Sequence, residues 1–433
     1  MHGQAKKTRA TLLLVLALLV GVAGPAAMAA SAREAQETVE LRFLSWTGAE
    51  AEPEFLAMLE EFTASHPNIE ISSETVAGTG AATYPDVLRT GMAGGEPPDL
   101  FYMWGGSVAA PFIESGQVLP LDGYYQQYGW EPRLVPWAAE AMKVEGVPYG
   151  VPKATRGMGF WYRTDIFAQN EIAVPTTYAE LEQACTTLRE ADVACLSLGG
   201  KFGWNTMRLL DYFIEMSAGP ELHDRLNQLE ASWESPEVVA AYELLRKWVD
   251  NEWIVPGFLS VSPDDARQPF YRGEAAMVFE GDWLESVLKS DEQEMANFDF
   301  FLPPTGHEPL RMSGFPEQVM ISRDSRHPNE AAQFLDWFLR PEIQQKYFQA
   351  IGGSTGVLNA FPSESEWPRS VKWRQIIETT PAYPPTDQAF RKELMDSFFA
   401  VQDGIVAGQY SPAEGAAQMQ QKAEEWKAEH GGV

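Results

Sequence analysis

Between Val39 and Ser45 apolar and polar residues alternate, the period of a strand with one covered face. Phe55, Met58, Leu59 and Phe62 then recur at helical spacing until His66-Pro67-Asn68 breaks the helix, and Ile69-Glu70-Ile71 resumes the alternation. A second helix is predicted over about 84–92, after which Pro97-Pro98 leads into a strand over 99–103. Strands and helices taken in this order predict a mostly parallel sheet with helices on both faces.

The same kind of pattern returns further on without an internal repeat. Strands are predicted over 147–152 and 158–162, and Thr177-Tyr178-Ala179-Glu180 has the form of a capping box. It opens a helix in which Leu181, Ala184, Cys185 and Leu188 share one face, followed by a strand over 193–198. Helices are predicted over 204–217 and 235–250, the second with Val238, Val239, Tyr242, Leu245 and Val249 on its apolar side. A strand over 275–279 runs into Glu280-Gly281-Asp282-Trp283, another covers 318–322, and a helix over 328–339 stops at Arg340-Pro341. No low-complexity linker divides the chain, so two lobes joined by several strand-like crossings are expected.

The N-terminus changes where the protein is expected to work. Lys6, Lys7 and Arg9 precede an apolar run over 12–23 and the small residues Ala27-Met28-Ala29, which is the form of a secretory signal peptide over 1–29 cleaved near Ala29 and Ala30. The apolar run is shorter than the roughly 20 residues that span a bilayer. No cysteine follows it to carry a lipid anchor, so a periplasmic location is expected. Removing this segment takes away three basic and no acidic residues, moving the formal net charge from -29 to -32. So acidic a chain repels phosphates and argues against nucleic acid as a partner. The two cysteines, Cys185 and Cys195, would then sit in a compartment that permits a disulfide. The predicted helix and strand bring them to similar height, and both a bond and two buried thiols remain open.

Candidate chemistry concentrates at strand ends. In open α/β sheets ligands bind beyond the carboxyl ends of strands. Three such ends pair tryptophan with glycine: Trp46 with Gly48, Trp104 with Gly105 and Gly106, and Trp283 with Gly281. Glycine admits a ligand close to the backbone, and indole offers a flat apolar face with a polar edge, a combination suited to a pyranose. Gly352-Gly353-Ser354-Thr355-Gly356 matches the serine-hydrolase pattern, but a helix precedes it and none follows directly, so it is read as a turn or hinge. No histidine pair has metal-ligand spacing on a helix, and His66, His307 and His327 sit beside turn signals as expected surface residues. Asp282 is the best-placed carboxylate, with no second one of comparable claim, which favours binding of hydroxyls over glycoside hydrolysis.

Several segments carry a family resemblance. They include Leu41-Arg42-Phe43-Leu44-Ser45-Trp46, Ala93-Gly94-Gly95-Glu96-Pro97-Pro98-Asp99-Leu100, Gly116-Gln117-Val118-Leu119-Pro120-Leu121-Asp122, Pro148-Tyr149-Gly150-Val151-Pro152, Tyr162-Arg163-Thr164-Asp165 and Gly273-Glu274-Ala275-Ala276-Met277. In order and spacing, the chain resembles the carbohydrate-type extracellular solute-binding proteins of ABC importers. The resemblance implies an α/β, two-lobed periplasmic-binding-protein fold, each lobe a mostly parallel sheet flanked by helices, with the ligand cleft between them. It places the first lobe at 38–151 and 314–355 and the second at 152–313 and 356–433. It implies ligand contacts at Trp46, Thr47, Gly48, Trp104, Gly105, Arg156, Trp204, Asp282, Trp283, Gly314 and Glu317, and no catalytic residue, metal or cofactor. The expected partners are a mono- or oligosaccharide and the importer's permease subunits, with the binding protein itself a monomer. Arg163 departs from the family's usual asparagine. Arg156 is a second departure: facing the cleft it would suit an acidic or phosphorylated sugar, and facing out it would be a solvated charge. An exported glycoside hydrolase on a similar scaffold is the alternative.

Overall fold

Eleven strands lie among the residues described by the structure, a computed structural model covering 38–46, 51–76 and 80–431. The expected leader at 1–29, and with it the cleavage site, falls outside the described residues, as do Thr47 and Gly48. In chain order the strands are β1 (Val39–Ser45), β2 (Ile69–Thr75), β3 (Leu100–Trp104), β4 (Lys143–Val144), β5 (Val147–Pro148), β6 (Gly150–Arg163), β7 (Ala194–Ser197), β8 (Ala275–Gly281), β9 (Phe298–Phe301), β10 (Met312–Ile321) and β11 (Ala382–Tyr383). Nine of them form one sheet in the order β2-β1-β3-β10-β6-β8-β7, with β11 beside β10 and β9 beside β6, while β4 and β5 make a separate hairpin.

Both ends of this sheet are parallel, β1 with β2 and β3 on one side and β7 with β8 on the other. Each parallel pair follows from a strand–helix–strand unit of the kind the periodicity predicts. The middle is antiparallel, because β10 runs against β3 and β6, and β6 runs against β8. Two long strands therefore join two otherwise separate layers.

Their burial explains why one of them was not legible as a unit. The residues over 147–152 and 158–162 were expected as two strands, yet β6 is one uninterrupted strand of 14 residues, preceded by the short β5. The stretch Lys153-Ala154-Thr155-Arg156-Gly157 has the polarity of a loop, but its charges find partners inside the protein and the ladder continues through them.

Two large hydrophobic clusters flank the joining strands. One gathers Leu41, Phe55, Phe62, Leu100, Val151, Val319, Phe334 and Val357. The other gathers Met158, Phe160, Leu181, Leu210, Trp248, Phe279, Phe398 and Met419. Val151 and Met158, seven positions apart on β6, thus belong to different cores. These are the two lobes of the fold.

The capping box forms as expected, with Thr177 accepting from the Glu180 N–H, and Leu181, Ala184, Cys185 and Leu188 are buried. Cys185 and Cys195 are joined by a disulfide, their Cα atoms 4.8 Å apart. The helix expected over 204–217 extends to Trp204–Asn227 with a kink at Gly219, whose φ of 74° breaks the helical run just before Pro220. No helix among the described residues is long and apolar enough to cross a membrane.

Candidate functional site

The joining strands carry a row of large side chains on one face. Arg156 on β6 lies directly opposite Phe315 on β10, and Trp104 on β3 lies opposite Glu317. Side chains two apart on a strand share a face, so Tyr102, Trp104, Glu317, Phe315 and Arg156 line up together. Lys153 joins them through an irregularity in the ladder: Ala154 pairs with Glu317 and Pro152 with Gln318, leaving Lys153 as the extra residue. A bulge of this kind re-aims a side chain that strict alternation would place on the other face.

Charge is packed tightly along this row. The Arg156 guanidinium donates from Nε and Nη2 to the two Glu317 oxygens at 3.1 and 3.0 Å, and from Nη1 to the Gly352 carbonyl at 2.8 Å. Lys153 Nζ reaches Glu317 at 3.3 Å, and Arg156 stands 3.7 Å from Asp282. All four groups are buried. Burial opposes the charge of Glu317, yet Arg156 and Lys153 outweigh it and hold its carboxyl down to about 2. Asp282 goes the other way: burial pushes it up to about 6, and Arg156, whose donors are engaged elsewhere, offsets only part. Burial also lowers the Lys153 ammonium below its ordinary value, with Glu317 acting against it.

Aromatic rings border this cluster on both sides. Trp46, at the end of β1, lies 4.3 Å from Trp104 between ring centroids, and Lys153 sits over Trp46 at 5.9 Å and over Tyr102 at 4.4 Å. Trp46, Tyr102, Met103, Lys153 and Glu317 pack around a small gap too narrow for a water molecule. From the second lobe come Trp283, 6.4 Å from Phe315 and 5.9 Å from Arg156, and Trp204, 6.4 Å from Trp283. Trp283 Nε1 donates to Glu280 at 2.9 Å, which fixes its ring. That ring folds over Gly281, where a Cβ would stand 2.0 Å from it, so no other residue fits there.

Most of the expected site residues therefore meet: Trp46, Trp104, Arg156, Trp204, Asp282, Trp283 and Glu317 surround one region. Gly105 is adjacent, its N–H donating to the Pro316 carbonyl at 3.1 Å. Gly314 is not among them; it packs on Ala382 and Trp137 on the opposite face of β10. Arg156 is not the solvated charge considered from the sequence, because it is 4 % exposed and held by Glu317. Nor is Asp282 without a carboxylate of comparable standing, since Glu317 binds the same arginine.

Sequence reasoning missed Lys153, Arg208 and Asp387, while Phe315 lies within the expected stretch from Gly314 to Glu317. Arg208 lies over the Phe315 ring at 4.4 Å and pairs with Asp387 at 2.9 Å. Lys153 could have been found from an uninterrupted β6; Asp387 offers no local signal. Ser354 of the glycine-rich stretch is buried, donating to the Thr155 carbonyl at 2.5 Å, and no strand leads into it, as a nucleophile elbow would need.

Known proteins share this fold. The bacterial extracellular solute-binding protein family matches residues 47–345. An uncharacterised ABC transporter extracellular-binding protein of Pyrococcus horikoshii is 26% identical over 380 residues, 86% of this chain and 80% of that protein. Among solved structures, a protein of Caldanaerobius polysaccharolyticus studied for xylan utilisation superposes with a TM-score of 0.79 at 23% identity, covering 89% of this chain and 100% of its own. A chitin oligosaccharide binding protein superposes with a TM-score of 0.78 at 22% identity over 90% and 99%. With the family match spanning well over half of its length, this chain belongs to the bacterial extracellular solute-binding proteins.

Proposed function

We propose that the protein is exported, captures a neutral mono- or oligosaccharide between its lobes, and delivers it as a monomer to the permease subunits of an ABC importer. The observation that carries this reading is the convergence of Trp46 and Trp104 from one lobe with Trp204 and Trp283 from the other around a buried polar row. Indole faces stack on the C–H faces of a sugar ring, and engaged polar groups beside them orient its hydroxyls. The xylan-related and chitin-oligosaccharide neighbours support a carbohydrate ligand.

The lobes are placed at 38–151 with 314–355 and 152–313 with 356–433, with Val357 and Ala360 crossing back to pack in the first core. A ligand touching both binds the closed arrangement better, and only that difference in affinity can move the equilibrium between open and closed forms. Gly352 and Gly353, with φ of 86° and 74°, lie at a crossing and are suited to absorb the change in dihedrals. A Cβ at Gly352 would also stand 2.6 Å from Arg156 Nη2.

An acidic or phosphorylated sugar fits less well, because Arg156 and Lys153 are already balanced by Glu317 and Asp282. A thermal-shift screen of xylo-oligosaccharides, chito-oligosaccharides, maltose and their acidic counterparts tests the reading, since a ligand of the folded state raises the melting temperature. Neutral sugars are expected to raise it and to be recovered unchanged. Recovery of shortened products would favour the hydrolase alternative.

A further inference from the structure

We propose that Arg208 sets which sugar the cleft accepts, donating from Nε–H and Nη1–H to two separate oxygens of a neutral pyranose; this rests on the interlobe sugar-binding reading above. Arg208 lies one turn into the helix that Trp204 begins and is 3 % exposed. Its Nη2 donates to both Asp387 oxygens, at 2.9 and 3.1 Å. Nε and Nη1 are buried and have no acceptor among the described residues. Buried donors are almost always paired, so two unfilled nitrogens on one guanidinium call for a partner.

Their position points to the cleft. Arg208 stacks on Phe315, itself next to Trp283. On its other side, Asp387 belongs to the seam between the lobes: Ser107 Oγ, three residues beyond Trp104, donates to the carbonyls of Asp387 and Phe390 at 3.3 and 2.7 Å. Gly106 presses so closely on this segment that a Cβ would stand 2.1 Å from the Gln388 carbonyl. The unfilled donors are therefore enclosed beside the seam between the lobes, where a ligand would reach them as the lobes part.

The geometry also selects the ligand's chemistry. On a guanidinium, Nη2 takes part in both paired-donor edges, one with Nε and one with Nη1. Asp387 takes both of its bonds from Nη2, so a carboxylate or phosphate gripping either edge with two parallel bonds would have to share that nitrogen with it. What remains addresses single oxygens in different directions, such as a ring oxygen and a hydroxyl. Charge agrees, because Asp387 balances Arg208 as Glu317 and Asp282 balance Lys153 and Arg156. An anionic group would enter a buried site with no cation left for it.

Calorimetric titration of xylotriose, chitotriose, maltotriose, galactose and galacturonic acid tests this on the wild type, Arg208→Lys, the charge-balanced double variant Arg208→Gln with Asp387→Asn, and Trp283→Ala. The wild type should bind at least one neutral sugar, and galacturonic acid no more tightly than galactose. Both Arg208 variants should lose at least tenfold on the sugars bound and change their rank order, with the double variant melting within a few degrees of the wild type. A uniform loss across sugars that tracks a fall in melting temperature would assign Arg208 a structural role and overturn the proposal. So would unchanged affinities in both Arg208 variants while Trp283→Ala weakens binding, or tighter binding of galacturonic acid. If Trp283→Ala also leaves binding unchanged, or the wild type binds none of these sugars, the site reading itself fails and takes the inference with it.

Discussion

Two arginine–carboxylate forks built on buried glutamates look alike atom by atom and differ in what surrounds them. Arg156 grips Glu317 from Nε and Nη2 at 3.1 and 3.0 Å, and Arg311 grips Glu215 from the same two nitrogens at 2.9 and 2.8 Å. Both glutamates are held down to about 2 against the cost of their burial. Arg311, however, closes a kink. It also binds Asp224 and the Pro220 carbonyl, while His223 completes Glu215, so the whole group braces the helix break at Gly219. Arg156 instead lies on a strand joining the lobes, within reach of Asp282, Gly352 and the Trp283 ring. The fork geometry reports that a charge is paired; the tryptophans and the crossing strands make one of the two the candidate site.

Removing the carboxylate from each fork should separate these roles. Breaking a buried pair by deleting one partner costs up to about 3–5 kcal/mol, less the part that Asp224 or Asp282 still offsets at the arginine. Glu215→Ala should lose stability on that scale in urea melts, while sugar affinity per folded molecule stays at the wild-type value. Glu317→Ala should lose similar stability and affinity as well. Equal affinities for the two variants would erase the distinction between the forks.

The aromatic border can be tested without disturbing either fork. Trp283→Ala should weaken sugar binding by about 1–3 kcal/mol, the scale of a lost aromatic contact, and leave the circular dichroism spectrum unchanged. An undiminished affinity in the folded variant would take Trp283 out of the site.

A smaller effect distinguishes the forks by pH. Only the Arg156 group contains a carboxyl raised to about 6, that of Asp282. Because the folded state binds that proton more tightly than the unfolded chain, its ionisation destabilises, and stability is regained as pH falls from about 6 towards 3.8. Asp211 and Asp403, raised to about 6 mainly by burial, act in the same direction. Glu317 and Glu215 have the opposite sign: their contribution is complete above 4.5 and is lost as pH falls towards 2. Stability should therefore rise as pH falls from about 7 to 4.5 and drop again below about 3.8, and Asp282→Asn should flatten the rise from pH 7 to 5 by about 1–2 kcal/mol. A wild type whose stability climbs steadily from pH 5 to 8 would contradict this.

Much of the fold was legible because it is written locally. The alternation in β1, the capping box at Thr177 and the helical faces around Leu181 and Tyr242 depend on neighbours a few positions away, and each formed where the pattern placed it. The strand β6 was read as two because Lys153 and Arg156 look like loop residues until Glu317 is beside them. The helix from Trp204 ran past its predicted end because Arg311 and His223 brace its break at Gly219. The site was legible in part for the same reason. Tryptophan beside glycine at a strand end is a local signal, and it found Trp46, Trp104 and Trp283. Arg208 and Asp387 carry no such signal, and their pairing spans 179 residues.

By itself the sequence determined the alternation of strands and helices, the apolar faces that build two cores and the tryptophan-bearing strand ends, since periodicity and composition act over a turn or a strand. Only the tertiary structure decided what each charge does. Arg156 meets Glu317 across 161 positions, and the Gly157 N–H meets Asp282 across 125. No residue type says whether a charge will be solvated or buried. That depends on whether a distant partner arrives to offset the loss of water, and here β10 and the end of β8 bring those partners to β6.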